Sequence, residues 1–270
     1  MKRWVGWALL GVGILIGVAG TRIGGGVRLG SPLPAPERRD RPCEPGSPGT
    51  AIIVIYGQSN AANFGSQRYQ ARHAVDNFDP ASGKCFAAVD PLLGADSIGG
   101  HVGTRLGDLL IESGRYQRVV IATASKGGAS IEALNTTHVR RLDKLIAQLK
   151  TAGLQPTHIL FQQGETDAQL ATTTEEYVSQ VHRLVGRIRA AGIAAPFFVS
   201  QSTRCGRDTP VNVAAIRKAQ LLAVDAALDI RRGPDTDAIG NEGRDARDGC
   251  HMNGIGTLAN AALWAAFIQP

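Results

Sequence analysis

From residue 50 onward the chain alternates between two hydrophobic patterns. Short, nearly unbroken apolar runs occur at "TAIIVIYG" (50–57), "QRVVIATA" (117–124), "HILFQQG" (158–164) and "PFFVSQS" (196–202). Each is rich in β-branched or aromatic residues and predicts a strand buried on both faces, as in a parallel sheet. Between and after them, apolar residues recur every three to four positions. This periodicity predicts helices at about 102–114, 138–152, 174–191, 211–228 and 256–268. A further short strand is read over "KCFAAVD" (84–90). Strands alternating with helices define the α/β class, here a three-layer α/β/α sandwich with a mainly parallel central sheet. No internal repeat of fixed period is evident.

The first fifty residues follow neither pattern. Lys2 and Arg3 precede sixteen uncharged residues, Trp4 to Ala19. That run is slightly long for the core of a secretory signal and slightly short for a membrane span of about 20 residues. Residues 1–20 are therefore read as a signal peptide, with Val18-Ala19-Gly20 as a cleavage site, or as a retained anchor with Trp4 and Trp7 at the interface. Either exports the remainder. Residues 21–49 are dominated by Pro, Gly and Arg and are read as a linker, followed by a catalytic domain over 50–270.

The charge follows the same division. Of the formal net charge of +6, the first 42 residues hold seven Lys/Arg and two acids, so the rest of the chain is close to neutral. No nucleic-acid footprint is visible in it. The four cysteines, Cys43, Cys85, Cys205 and Cys250, lack the close CxxC pairs of a zinc site. An even number in an exported chain favours two disulfides.

In a parallel α/β sheet, ligands bind beyond the carboxyl ends of the strands. At those ends the sequence places Gly57-Gln58-Ser59-Asn60, Ser125-Lys126-Gly127-Gly128 and Gln162-Gln163-Gly164-Glu165-Thr166-Asp167, while "RDGCHMNG" near the C-terminus supplies Asp248 and His251. A hydroxyl, a glycine turn, amide side chains and an Asp/His pair are the parts of an acyl-transfer site. A serine hydroxyl is a poor nucleophile at neutral pH, so an imidazole must take its proton and a carboxylate must hold the imidazole's tautomer. Ser59, His251 and Asp248 fill these three roles. The Ser59 N–H, an N–H of the Gly127-Gly128 turn and the Gln163 amide are candidate donors to the oxyanion.

Taken singly, each residue has a plainer use. A serine after a strand is most often a helix N-cap, an Asp in "RDG" often bonds its own turn, and a glycine pair is usually only a turn. Their joint occurrence at the ends of the right strands favours the catalytic reading. Ser130, in "GASIE", is a rival nucleophile that lacks the last glycine of a G-x-S-x-G elbow. His73, His101, His138, His158 and His182 have no such partner pattern and are read as structural or surface residues.

The blocks "GQSN", "KGGASI", "QQGETD" and "DGCH" resemble those of the SGNH (GDSL-type) hydrolases, in particular the branch containing sialate O-acetylesterases and carbohydrate acetylesterases. The resemblance spans about residues 50–268. It implies a flavodoxin-like sheet, Ser59 as nucleophile, His251 as base and Asp248 as its orienter. It also implies no metal or organic cofactor, and hydrolysis of small acyl esters, usually acetyl groups on sugar hydroxyls. Thr166 stands where the wider superfamily has an asparagine, and in the resembled branch the glutamine before the glycine, Gln163, is the donor. Gln58, Asn60, Glu165 and Asp167 are candidate substrate contacts. An acyltransferase with the same triad and a silent glycan-binding envelope protein are the alternative functions. Finally, Cys205 falls in the loop after the strand at 196–202 and Cys250 lies between Asp248 and His251, on the same rim, so these two are expected to pair. Cys43 and Cys85 would then tie the end of the linker to the early domain.

Overall fold

The computed structural model describes residues 36–206 and 212–269. In chain order the elements are β1 (Asp40–Arg41), β2 (Thr50–Gly57), β3 (Val75–Asp79), β4 (Lys84–Ala87), α1 (Val102–Glu112), β5 (Arg118–Thr123), α2 (Ile131–Asn135) and α3 (Val139–Thr151). They continue with β6 (His158–Gln162), α4 (Glu165–Leu170), α5 (Thr174–Ala190), β7 (Phe197–Gln201), α6 (Val213–Leu222), β8 (Ile230–Asp235) and α7 (Gly254–Phe267). Eight strands form one sheet in the order β1-β4-β3-β5-β2-β6-β7-β8, and β4 is antiparallel to both of its neighbours. The mainly parallel α/β sheet read from the sequence is the observed one.

β2 lies at the centre because both of its faces are apolar. Ala51, Ile53 and Ile55 face a core with Leu106 and Leu110 of α1 and Trp264 of α7. Ile52, Val54 and Tyr56 face a second core with Leu142, Leu145 and Leu149 of α3 and Val181 and Leu184 of α5. These are the three layers. From β2 the chain builds β3 and β5 to one side and β6 to β8 to the other. The carboxyl end of β2 is therefore flanked by strands that leave in opposite directions, the crevice where ligands bind in such sheets.

Beyond the short helices α2 and α4, which the sequence reading lacks, the structure departs from it in four places. The helix expected at 211–228 runs only over Val213–Leu222. Asp225 ends it by accepting the Ala227 N–H at 2.8 Å, and its backbone pairs with Ile230 to turn the chain into β8. β8 (IRRGPD) went unread because Gly233 and Pro234 signal a turn, and as an edge strand it tolerates them. β3 (VDNFD) went unread because its middle residues are polar, yet they are buried and partnered. Asp76 pairs with Arg118 at 2.6 Å, and Asn77 accepts the Leu93 N–H at 2.6 Å. Fourth, the residues expected as linker over 21–49 are fastened to the domain from Pro36 onward. Arg38 donates to the Val89 carbonyl at 3.1 Å, β1 joins the sheet, and Cys43 is bonded to Cys85. The expected signal or anchor over 1–20 lies outside the described residues. Among the described residues no helix is long and apolar enough to cross a membrane.

Candidate active site

The site begins where β2 ends. Gly57 has φ +146°, and a Cβ there would stand 2.0 Å from the Gln162 carbonyl oxygen, so only glycine lets β2 and β6 run this close at their ends. The Gln58 N–H then donates to that carbonyl at 3.1 Å, and the chain turns through one 3₁₀ turn, Ser59–Ala61. The turn after β5 is fastened alongside, with the Lys126 N–H donating to the Gly57 carbonyl at 3.0 Å. Three strand ends thus converge on Ser59. The N–H groups of Ser59 and Gly128 find no hydrogen-bond acceptor among the described residues.

His251 and Asp248 come from the loop that precedes α7. Asp248 Oδ2 lies 2.6 Å from His251 Nδ1, while Oδ1 accepts the Cys250 N–H at 2.9 Å and the His251 N–H at 3.1 Å. Partial burial raises the Asp248 carboxyl's pKa, but these two N–H groups and the imidazole together outweigh it and leave the pKa below the ordinary value. The carboxylate is therefore anionic near neutral pH, and it holds Nδ1 of the ring as the donor, leaving Nε2 as the basic nitrogen. Phe64 stacks on the imidazole, with ring centroids 4.9 Å apart and planes at 24°.

Two ties bring this loop to the serine turn. Asn60 Nδ2 donates to the Cys250 carbonyl at 3.3 Å and to Glu165 Oε1 at 2.8 Å. The Ser66 N–H donates to the Met252 carbonyl at 3.0 Å. Buried Arg244 adds a third support, donating to the Cys250 carbonyl at 2.8 Å and to the Thr236 carbonyl at 3.0 Å. Cys250 is bonded to Cys205, as expected from their positions on one rim.

The remaining candidates sit deeper than the sequence suggested. Gln58 is buried, and its Oε1 accepts from Gln163 Nε2 at 3.2 Å, the Gly164 N–H at 3.3 Å and the Thr166 N–H at 3.1 Å. Gln163 is fully buried, and its Nε2 also donates to the Ala129 carbonyl at 3.2 Å and to Asp167. Its two amide hydrogens face three acceptors, so the expected donation to an oxyanion has no free hydrogen to draw on. Glu165 Oε1 accepts from Asn60 and from Ser202 Oγ at 3.1 Å, and burial raises its pKa. Asp167 accepts the Ile131 N–H at 2.9 Å and the Thr172 hydroxyl at 2.9 Å. These four residues and Asn60 bond chiefly to one another and to the backbone that the strand ends leave inside the protein, while Gln163 Oε1 and Glu165 Oε2 stay buried without a partner among the described residues. Gly127 is likewise engaged, donating to Asp96 Oδ2 at 3.1 Å. Ser130, the rival nucleophile, caps α2 by accepting the Ala133 N–H at 3.1 Å.

Sequence reasoning missed Phe64, Asp96 and Arg244: Phe64 and Asp96 act through contacts distant in sequence, and Arg244 through backbone carbonyls that no spacing singles out. A cavity of about 850 Å³ opens nearby, lined by residues that include Arg204, Cys205, Arg217, Asp237, Asn241 and Gly249. Ser59 and His251 do not line it; it meets the site at the disulfide and Gly249. Among the described residues no group of three or more His, Cys, Asp or Glu is placed to hold a metal ion.

An α/β/α sandwich with a serine at the end of its central strand and an Asp/His pair on the adjoining loop has the form of the SGNH hydrolases. Solved structures of this fold align with it. A protein from Arabidopsis thaliana shares 14% identity over 82% of this chain and 98% of its own, with a TM-score of 0.66. A carbohydrate acetylesterase from Xanthomonas citri shares 18% over 80% and 54%, with a TM-score of 0.53. A family 3 carbohydrate esterase from Clostridium thermocellum shares 14% over 80% and 94%, with a TM-score of 0.53. At these identities the likeness is one of fold. No curated protein matches the chain significantly. The model of the carbohydrate esterase family described as sialic acid-specific acetylesterase matches residues 49–256, and the chain belongs to that family. It is a carboxylic ester hydrolase.

Proposed function

We propose that the protein removes O-acetyl groups from a carbohydrate outside the cytoplasm through an acyl-enzyme on Ser59. In this reading His251 Nε2 takes the hydroxyl proton as Oγ attacks the acetyl carbonyl, and Asp248 holds the ring and stabilises the imidazolium that results. The tetrahedral oxyanion is met by the N–H groups of Ser59 and Gly128. Collapse expels the sugar oxygen, which receives its proton from His251, and water deacylates the serine by the same route. Export agrees with two disulfides and with the leader read from the sequence.

The observation that carries the reading is the short bridge from Asn60 to the Cys250 carbonyl, which ties the residue after Ser59 to the residue before His251. It rests on membership of the acetylesterase family. The cavity beyond the disulfide offers room for a sugar, within the usual few hundred to about 1,000 Å³ of a ligand pocket.

The test is a panel of acetylated oligosaccharides followed by mass spectrometry, with and without an acceptor sugar. Loss of acetyl mass in water is expected, and Ser59→Ala should slow it by at least about a thousandfold. Near-normal turnover by that variant would end the reading. Acetyl appearing on the acceptor in preference to release into water would make the protein a transferase.

A further inference from the structure

The turn after β5 carries a charged pair that the chemistry above leaves unused. Lys126 Nζ lies 2.6 Å from Asp96 Oδ2, the same oxygen that accepts the Gly127 N–H. Asp96 is also held through its backbone: its N–H donates to the Ser125 carbonyl at 3.1 Å, and its carbonyl accepts the Asn63 N–H at 3.0 Å. One residue therefore joins the glycine turn to the segment that follows Ser59. Phe64 closes the same corner, because its ring lies where a side chain on Gly127 would stand, 2.4 Å from the nearest ring carbon. Gly128 differs from Gly127. It has φ +68°, its N–H is unengaged among the described residues, and the space a Cβ would occupy is open.

The charges matter as much as the geometry. Partial burial works to raise the Asp96 pKa, but Lys126 and the N–H groups of Gly127 and Ser97 outweigh it, so the group is a carboxylate at working pH. A lone carboxylate hydrogen-bonded to the oxyanion turn would oppose the negative charge that develops in the transition state. A cation on the same oxygen removes that opposition.

On the esterase reading, we propose that Asp96 and Lys126 are positioning residues for the oxyanion. Asp96 draws the Gly127 N–H out of the site, so that Gly128 and Ser59 are left as the donors, and Lys126 cancels the Asp96 charge where the tetrahedral intermediate becomes negative. The pair acts on the transition state, where the oxygen is charged, and little on the bound ester, where it is not.

The full-length protein and its Lys126→Met, Lys126→Arg, Asp96→Asn and doubly substituted variants should be compared for kcat and KM on p-nitrophenyl acetate, with thermal midpoints recorded. Lys126→Met should lower kcat about tenfold or more while KM stays within about twofold, in line with the loss of an electrostatic contribution at an oxyanion site. Lys126→Arg should retain most of the rate. Asp96→Asn keeps an oxygen for the Gly127 N–H and should cost less than Lys126→Met; added to Lys126→Met, it should restore most of the lost kcat, because the uncompensated charge is gone. A double variant as slow as Lys126→Met, or a Lys126→Met enzyme with unchanged kcat, overturns the proposal. Ser59→Ala measured alongside keeps the two failures apart. If it is as active as the parent, the esterase reading falls and the proposal with it; if it is inactive and Lys126→Met is not slowed, only the role of the pair falls.

Discussion

At the scale of single residues, two serines with similar sequence credentials have different duties. Ser130 caps α2, so Ser130→Ala should cost about 1 kcal/mol of stability, typical of a lost cap, and leave turnover of an acetyl ester unchanged. Ser59→Ala should do the reverse. A chemical-denaturation series beside an ester assay separates them, and loss of activity in Ser130→Ala would reverse the assignment. A second residue-scale consequence concerns pH. Burial raises the Asp90 carboxyl to about 6, despite hydrogen bonds from Thr104 and the His101 and Tyr69 N–H groups, and burial lowers the His101 imidazole to about 4. In an unfolded chain these groups titrate at about 3.9 and 6.5. Between about pH 4 and 6 the native state thus holds more protons than the unfolded state at Asp90 and fewer at His101. By linkage, Asp90 makes stability fall as pH rises through that window, and His101 makes it rise. The two slopes oppose each other in the parent protein. Asp90→Asn leaves His101 unopposed, so its thermal midpoint should drop relative to the parent as the pH is lowered from about 6.5 to 4. A difference between the two proteins that does not change with pH rejects the coupling.

At the scale of elements, the loop over 245–253 is the part on which the proposed chemistry depends, and it contains no helix or strand. Arg244, Asn60, Asp248 and the Cys205–Cys250 bond each hold Cys250, the residue next to the proposed base. Cys205→Ser should lower stability by about 2–5 kcal/mol, as loss of a native disulfide commonly does. It should also lower turnover by about ten- to a hundredfold, since displacements near 1 Å have such effects. Because three hydrogen-bonding groups remain, Cys205→Ser with Arg244→Met should lose more than the sum of the two alone. Full activity in the Cys205 variant leaves the bridge a purely structural tie. The elements themselves differed in legibility for a physical reason. β2, β5, β6 and β7 are buried on both faces and carry continuous apolar sequence, so they could be read directly. β3 and β8 carry buried Asp76 and Asn77 or exposed Arg231 and Arg232, and only their partners explain them.

At the scale of the whole molecule, the direction in which the chain builds the sheet decides where the site lies. Growth to both sides from β2 leaves its carboxyl end between β5 and β6, so segments from residues 57–60, 125–128 and 162–164 meet without a dedicated scaffold. The fold tolerates export, since its cysteines are all paired among the described residues. A reporter fused after Pro270 should therefore be active only if it functions outside the cytoplasm. An active, soluble reporter confined to the cytoplasm contradicts the leader's proposed role.

The division between sequence and structure follows from the range of the forces involved. Hydrophobic periodicity is local, and it was enough for the α/β class, four of the central strands and the ends at which Ser59, Gly127 and Gly128 stand. Both cysteine pairings followed from those positions. What periodicity does not carry is which buried polar group satisfies which. Gln163 reads as a free amide, but β6 and α4 leave its hydrogens facing Gln58, Ala129 and Asp167. Glu165 and Asp167 read as substrate contacts, but the interior needs their oxygens for Asn60 and Ile131. Asp96 does not stand out in the sequence, and Lys126 is read there only as part of the glycine turn. Their meaning lies in a 2.6 Å contact across thirty residues. A backbone N–H or a carboxylate inside a protein must find a partner wherever the fold brings one, and that choice belongs to the tertiary structure alone.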